Sequence, residues 1–450
     1  MHARWHRLGL PGRALGPRPG RDLLKLLVVR DDLRKTERMN APKFVAIALS
    51  ILLAACGGSS SSNLPATNDP GQQPWELVAA DAVAEECLLD PDLLAQADAI
   101  LDSPWAVIRY GKLCHEYYPD GGDAPSEVYS TTKTLSAVVV GMVEYQSRNF
   151  VRNGRKTGPL KDSDRVDHWL DDFSFNPDAK IGHVLSMVAY NDDLSPGNRP
   201  HSYDANGSRE INRLSDVMNT VIAQDPERLG SNLEEFAQRF LFGPLGMKDS
   251  VWSDGRSDKI FAYSWRSTVR DMSRLGLLIL NDGVWAGERL LSSKWIDKIT
   301  HPALEDSNTS YGYLTWLSSN SNYNFGGIAG GVKFNSPLDS CSPAAIWPAD
   351  QYPHGISEAT DCGYSSEWSC EQEYDVGSWS ALGLGGQLIV GQSGLDLVLV
   401  VKNLGTNSFA GSVWGPMRPA LIELDPVYQG DEDAFCEAYA KGSYAPDLRN

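Results

Sequence analysis

Ser130 and Lys133 stand three residues apart in the stretch "VYSTTK", residues 128–133. A serine hydroxyl is a weak nucleophile at neutral pH and needs a base within reach. At i and i+3 the two side chains would share one helix face. A helix N-terminus at Ser130 would favour developing negative charge, and the serine's own N–H could face an oxyanion. A lysine acting as base near neutral pH needs its pKa brought down by about three, roughly 4 kcal/mol, which burial can supply. The spacing alone is a weak signal. The chain's serine and lysine content gives about one Ser-x-x-Lys by chance, and serine at a helix start is also an ordinary cap. The context strengthens it, because a charged lysine opening an apolar helix is costly unless it is used or paired.

The elements that must hold this pair are legible in outline. "WAVIRYGKLCHEYY" (105–118) predicts a β-hairpin turning at Tyr110-Gly111. "STTKTLSAVVVGMVEYQ" (130–146) is apolar nearly all round after its first turn and predicts a buried helix. Residues 147–305 are mostly helical in pattern. In "SNLEEFAQRFLFGPLGM", Ser231 and Glu234 read as a capping box, and Leu233, Phe236, Ala237, Phe240 and Leu241 share an apolar face. "STVRDMSRLGLLIL" repeats the device, with Thr268 as cap and Asp271 closing the box. "GGQLIVGQSGLDLVLVVKN" (385–403) predicts a second hairpin turning at 391–395, and 417–424 a closing helix. The stretch 317–379 is loop-rich. The simplest packing is α+β: the N- and C-terminal hairpins form one antiparallel sheet, and the 130–146 helix covers it. A separate all-helical lobe is inserted in the middle. The sheet lobe would comprise 76–146 plus 306–450, and the helical lobe 147–305.

Charge and cysteines bound the setting. The chain has 450 residues and a formal charge of −18. Residues 1–38 are basic, at +6, whereas 57–450 carry −25. A body that acidic repels phosphate backbones, so nucleic acid is not expected as a partner. Residues 39–56, "MNAPKFVAIALSILLAAC", read as a lipoprotein signal peptide ending in a lipobox at Cys56. Residues 57–75 follow as a Gly/Ser-rich tether, and 1–38 as a misassigned leader upstream of Met39. With Cys56 given to lipid, Cys87, Cys114, Cys341, Cys362, Cys370 and Cys436 remain. Six cysteines suit disulfides in an oxidising compartment and leave the pairing open. The expected location is therefore the periplasmic face or cell envelope of a bacterium, reached by a lipid anchor. No Cys-x-x-Cys, no Gly-x-Ser-x-Gly elbow and no His-Glu-x-x-His occurs, so no metal site is expected.

"VYSTTKTLSAVVVGM" resembles the first motif of the penicillin-recognising serine hydrolases: class C-type β-lactamases, DD-peptidases and related esterases. "IGHVLSM" (181–187), the Pro-Gly…Tyr segment at 195–218, "PLGM" within 233–255, "TVRDMSRLG" and "GVWAGE" within 266–295, and 381–403 resemble that family's later motifs in order. The resemblance covers about 76–425 and implies the family's sheet-plus-helical-lobe fold. It further implies Ser130 as acylated nucleophile, Lys133 as its base and Tyr203 as a partner in proton transfer. No cofactor is implied. The backbone N–H groups of Ser130 and Gln387 would form the oxyanion hole, with Gly385 and Gly386 baring the strand for substrate. Asn206 stands one place beyond the family's asparagine position, which here is Ala205. Leu384 replaces the cation that meets a substrate carboxylate, which favours esters or uncharged amides over β-lactams. Trp265 and Trp316 are candidate pocket walls. The alternatives are a true β-lactamase or DD-peptidase, and a non-catalytic surface binding protein that uses the 317–379 loop.

Overall fold

The computed structural model describes residues 75–171, 174–197, 208–252, 261–304, 311–317, 378–405 and 410–422. Cys56, Tyr203, Asn206, the 317–379 loop beyond its first residue and last two, and Cys341, Cys362, Cys370 and Cys436 lie outside them.

The chain enters through α1 (Val83–Cys87) and α2 (Pro91–Leu101), then β1 (Trp105–Arg109) and β2 (Lys112–Tyr117). β3 (Ser126–Glu127) leads to α3 (Thr132–Ser147), followed by α4 (Val166–Trp169) and α5 (Ile181–Leu185). A small hairpin, β4 (Ala189–Tyr190) with β5 (Ser195–Pro196), precedes α6 (Ser208–Ile222). Next come α7 (Pro226–Leu229), α8 (Leu233–Ala237) and α9 (Gly243–Leu245). β6 (Arg266–Ser267), α10 (Val269–Leu280), the hairpin β7 (Val284–Trp285) and β8 (Glu288–Arg289), and α11 (Ser293–Thr300) follow. The last elements among the described residues are β9 (Trp316–Leu317), β10 (Ser378–Gly383), β11 (Gln387–Gln392), β12 (Leu397–Val401) and α12 (Ala410–Met417).

The N- and C-terminal hairpins do join. Six strands form one antiparallel sheet in the order β2-β1-β12-β11-β10-β9. Tyr110 and Gly111 both take positive φ, 53° and 71°, the turn whose twist suits a two-residue hairpin. Alternation along each strand sorts the side chains onto two faces. Trp105, Val107, Leu388, Val390, Leu397, Leu399 and Val401 pack with Leu94, Ala97 and Leu101 of α2 and Val413 and Trp414 of α12. Ala106, Ile108, Ile389, Val398 and Val400 face the larger core on the other side. The helix lying on that face is α10. At Gly276 an added Cβ would come within 2.6 Å of a Val398 methyl, so the helix approaches the strands closely.

α3 is buried, as its apolar run predicts, but it covers less of the sheet than expected. It touches the sheet at β10 and packs otherwise on α6 and α11. Gly141 sits under the Trp295 ring, with an added Cβ only 2.3 Å from Cδ1, and the indole N–H donates to the Ala137 carbonyl at 2.9 Å. α10 takes the covering role, packing on β1, β11 and β12.

Three local expectations shift. The cap of α8 is Asn232, whose side chain accepts from the Glu235 N–H, while the Glu235 carboxylate takes the Ser231 N–H. The cap thus sits one residue later than Ser231, and no reciprocal box closes on it, because the Glu235 carboxylate meets the Ser231 N–H instead of that of Asn232. At α10 Thr268 caps as expected, but Asp271 turns its carboxylate to the Asp249 N–H instead of closing the box. Among the described residues the last helix is 410–417, followed by a short 3-10 turn at 418–420, so 418–422 do not continue a closing helix, and the rest of the expected 417–424 helix lies outside the described residues. Cys87 and Cys114 form a disulfide that ties the end of α1 to β2.

Candidate active site

Ser130 does not cap α3. It lies in a single 3-10 turn, Tyr129–Thr131, that runs into the helix, and neither end of that turn uses a side-chain cap. Its hydroxyl is left for another partner, and Lys133 Nζ donates to Ser130 Oγ at 3.1 Å. Lys133 also donates to the Ala262 carbonyl at 3.0 Å and is only 4% exposed. The choice between a capping serine and a paired serine is thus decided by the turn that precedes the helix.

That turn is strained. Tyr129, directly before Ser130, has φ of 48°, a conformation uncommon for a side chain of that size. Such strain persists only where the surroundings over-determine it. Here Thr132 Oγ1 donates to the Tyr129 carbonyl at 2.6 Å and accepts the N–H groups of Ser264 and Trp265, both at 3.2 Å. The Val128 N–H donates to the Trp265 carbonyl at 3.0 Å, and Ser136 Oγ to the Phe261 carbonyl at 3.0 Å. Residues 261–267 therefore form a strap along the start of α3 that fixes both the elbow and the lysine.

The opposite wall is the β10–β11 hairpin. Thr131 Oγ1 donates to the Gln387 carbonyl at 2.6 Å. Gln387 is buried, pairs with Gly383 across the hairpin, and its side-chain amide donates to Asn403 Oδ1 at 2.9 Å. The glycine pressed against the serine's segment is Gly383. An added Cβ there would lie 2.2 Å from the Val128 carbonyl and 2.8 Å from Thr131 Oγ1. At Gly386 an added Cβ would strike Gly405 N and Leu404, so its bareness serves the chain at 404–405. Gly385 has only the Gln387 amide nitrogen nearby, at 3.5 Å. Both take positive φ, 80° and 77°, as the turn demands. Leu384 stands on that turn, 63% exposed.

Trp265 is fully buried, and its indole N–H donates to Ser250 Oγ at 3.1 Å. Its side chain anchors the strap and does not line an open pocket. Trp316 is also buried, on β9, edge-on to Tyr311. Sequence reasoning passed over Gly383, Thr132 and the Ala262 carbonyl. Gly383 stood in the same small-residue run, "ALGLGG", and alternation counted from the Gln387 strand would have marked it as the residue opposite.

Behind the strap, burial pushes the Asp271 carboxyl up to about 6, opposed by its hydrogen bonds from Ser250 and the Asp249 N–H and by Arg274. A raised carboxylate pKa lends stability below the unfolded value of 3.8 and loses it as pH rises through about 6. Asp271 is 3% exposed, so the loss is about 3 kcal/mol by pH 8. Asp271→Asn, neutral at all pH, is therefore expected to gain stability relative to the native chain between about pH 4 and 8. Urea unfolding at the two ends checks this, and a pH-independent difference would refute it.

No family model matches the chain. The chain is similar to a curated 6-aminohexanoate-dimer hydrolase of Paenarthrobacter ureafaciens, 23% identical over 305 residues, covering 58% of this chain and 74% of that protein. Among solved structures it is similar to a family VIII carboxylesterase, at 11% identity, coverage of 74% and 98%, and a TM-score of 0.47. A D-alanine carboxypeptidase from Burkholderia cenocepacia follows at 12% identity, coverage of 76% and 97%, and a TM-score of 0.45. A β-lactamase from Mycobacterium bovis shows 15% identity, coverage of 76% and 99%, and a TM-score of 0.42.

Proposed function

We propose that this chain, a β-lactamase-like serine hydrolase, cleaves small esters or uncharged amides through an acyl-enzyme on Ser130. The observation that carries the reading is the Lys133 amine, buried and 3.1 Å from Ser130 Oγ. In the proposed step Ser130 Oγ attacks the substrate carbonyl and its proton passes to Lys133, with Tyr203 as the second proton-transfer group. The same proton then goes to the leaving alkoxide or amine. Water repeats the attack to release the acid and regenerate the serine. The tetrahedral oxyanion would sit between the Ser130 N–H and an N–H of the Gly383–Gln387 hairpin, the donor assigned from sequence being that of Gln387.

Leu384 supports the choice of uncharged substrates. An exposed leucine at the hairpin turn offers apolar contact where a cation would be needed for a carboxylate. The curated relative's name points to an aminohexanoate dimer, so that compound belongs in the substrate panel beside p-nitrophenyl esters and a chromogenic cephalosporin. Turnover of the cephalosporin in preference to the esters would favour the β-lactamase reading.

Anchoring through Cys56 in the cell envelope completes the proposal. The Cys87–Cys114 bond supports it, since such bonds persist in oxidising compartments. The decisive experiment is intact-protein mass after incubation with an activated ester. One acyl adduct per chain, mapped to Ser130 by peptide analysis, is expected. An adduct elsewhere, or none with continued turnover, would remove Ser130 as nucleophile.

A further inference from the structure

Of the seven large apolar side chains exposed among the described residues, two belong to the walls around Ser130. Tyr129 directly precedes the serine and is 40% exposed, and Leu384 stands on the β10–β11 turn. The segments that carry them touch. An added Cβ at Gly383, the neighbour of Leu384, would lie 2.2 Å from the Val128 carbonyl, and that carbonyl belongs to the peptide leading into Tyr129. Standard bond lengths then place the Tyr129 and Leu384 Cα atoms within roughly 11 Å of each other. Neither side chain is spent on the core. The Tyr129 backbone is fixed by its carbonyl, which accepts from Thr132 Oγ1, yet a large ring is kept there at positive φ with much of its surface in water. Strain of that kind gathers at ligand contacts.

We infer that Tyr129 and Leu384 together form the contact for an apolar acyl group of the substrate and set its chain-length preference. This deepens the proposed function and rests on its reading of Ser130. The direction follows from the proton. The leaving group must face Lys133, which returns the proton to it, and Lys133 is held on the strap side by the Ala262 carbonyl. The acyl substituent departs from the same trigonal carbon on the other side, toward the hairpin wall that bears Leu384. Carbon chains in contact lie about 4 Å apart, so an acyl chain fits between two side chains whose backbones are this close. Neither residue offers a counter-ion, so a charged acyl group would give up its hydration there for nothing.

The test measures kcat/KM for p-nitrophenyl acetate, butyrate and hexanoate in the native chain, Leu384→Ser and Tyr129→Asn. Asparagine tolerates positive φ, so the second variant removes the ring without adding strain. Each protein is checked for melting temperature and for stoichiometric labelling by a fluorophosphonate. A fully buried methylene is worth about fourfold in binding, and one flanked on two sides about twofold. The native chain is therefore expected to prefer hexanoate over acetate by about 15-fold. In each variant that ratio should fall to about fourfold or less. The ratio is the readout because general damage to the site, or loss of a contact to the leaving group, slows all three esters alike. A ratio unchanged in either folded variant overturns the inference, as does a labelled native chain that hydrolyses the three esters equally well. A native chain that takes no label overturns the reading of Ser130 and this inference with it. Should Tyr129→Asn not fold, Leu384→Ser decides alone, because its side chain is exposed on a turn.

Discussion

Replacing Ser130 with alanine is expected to lower kcat for p-nitrophenyl esters by on the order of 10^4-fold or more while leaving the fold intact. The hydroxyl does no structural work in the turn. It caps no helix, and its partner, the Lys133 amine, retains the Ala262 carbonyl. A thermal melt within a few degrees of the native chain should accompany the loss. Lys133→Met should cost about 10^2- to 10^4-fold, the usual worth of a positioned base. It should also cost about 1–3 kcal/mol of stability, because the buried Ala262 carbonyl loses its donor. Ester turnover that persists unchanged in either variant would dismiss the Ser–Lys pair as catalytic. Equal kcat with a raised KM would make the pair a binding feature only.

Gly383→Ala is expected to damage activity and stability together. The new Cβ would stand 2.2 Å from the Val128 carbonyl and 2.8 Å from Thr131 Oγ1, and neither neighbour is the free end of a flexible side chain. The hairpin must move away or the elbow must yield. Overpacking of this kind costs about 1–3 kcal/mol. A displacement of roughly 1 Å at the nucleophile costs about 10^2-fold in rate. Gly122→Ala is the control, because nothing lies within 4 Å of its added Cβ and its φ is ordinary. A Gly383→Ala enzyme with native kcat and melting temperature would show that the hairpin end does not position Ser130.

The parts of the fold that depend on local pattern were legible. Tyr110-Gly111 announced its turn, and strand alternation separated Trp105 and Val107 from Ala106 and Ile108. The all-round apolar run after Lys133 announced a buried helix. What failed was partner choice. α10 and α3 are both apolar enough to cover a sheet, and sequence carries no record of which one follows a strand into contact. The glycines show the same limit. Gly383, Gly385 and Gly386 are identical in composition and neighbours in sequence. One is bare because Val128 presses on it, one because Leu404 and Gly405 do, and one only because the turn needs positive φ. Trp265 resembled a pocket wall and proved to be an internal anchor, because a residue's exposure is set by what lies behind it. Tyr203, the third group of the expected site, falls outside the described residues.

The sequence by itself determined that a hydroxyl and an amine would share the opening of a buried helix, and that strands from both ends of the chain were available for one sheet. Those are consequences of spacing and periodicity, which act along the chain. Only the tertiary structure decided that Ser130 is released from capping, that Lys133 is held by a strap more than a hundred residues away, and which glycine lets the hairpin close on them. Such contacts depend on surfaces meeting, and surfaces distant in sequence leave no periodic trace of whom they meet.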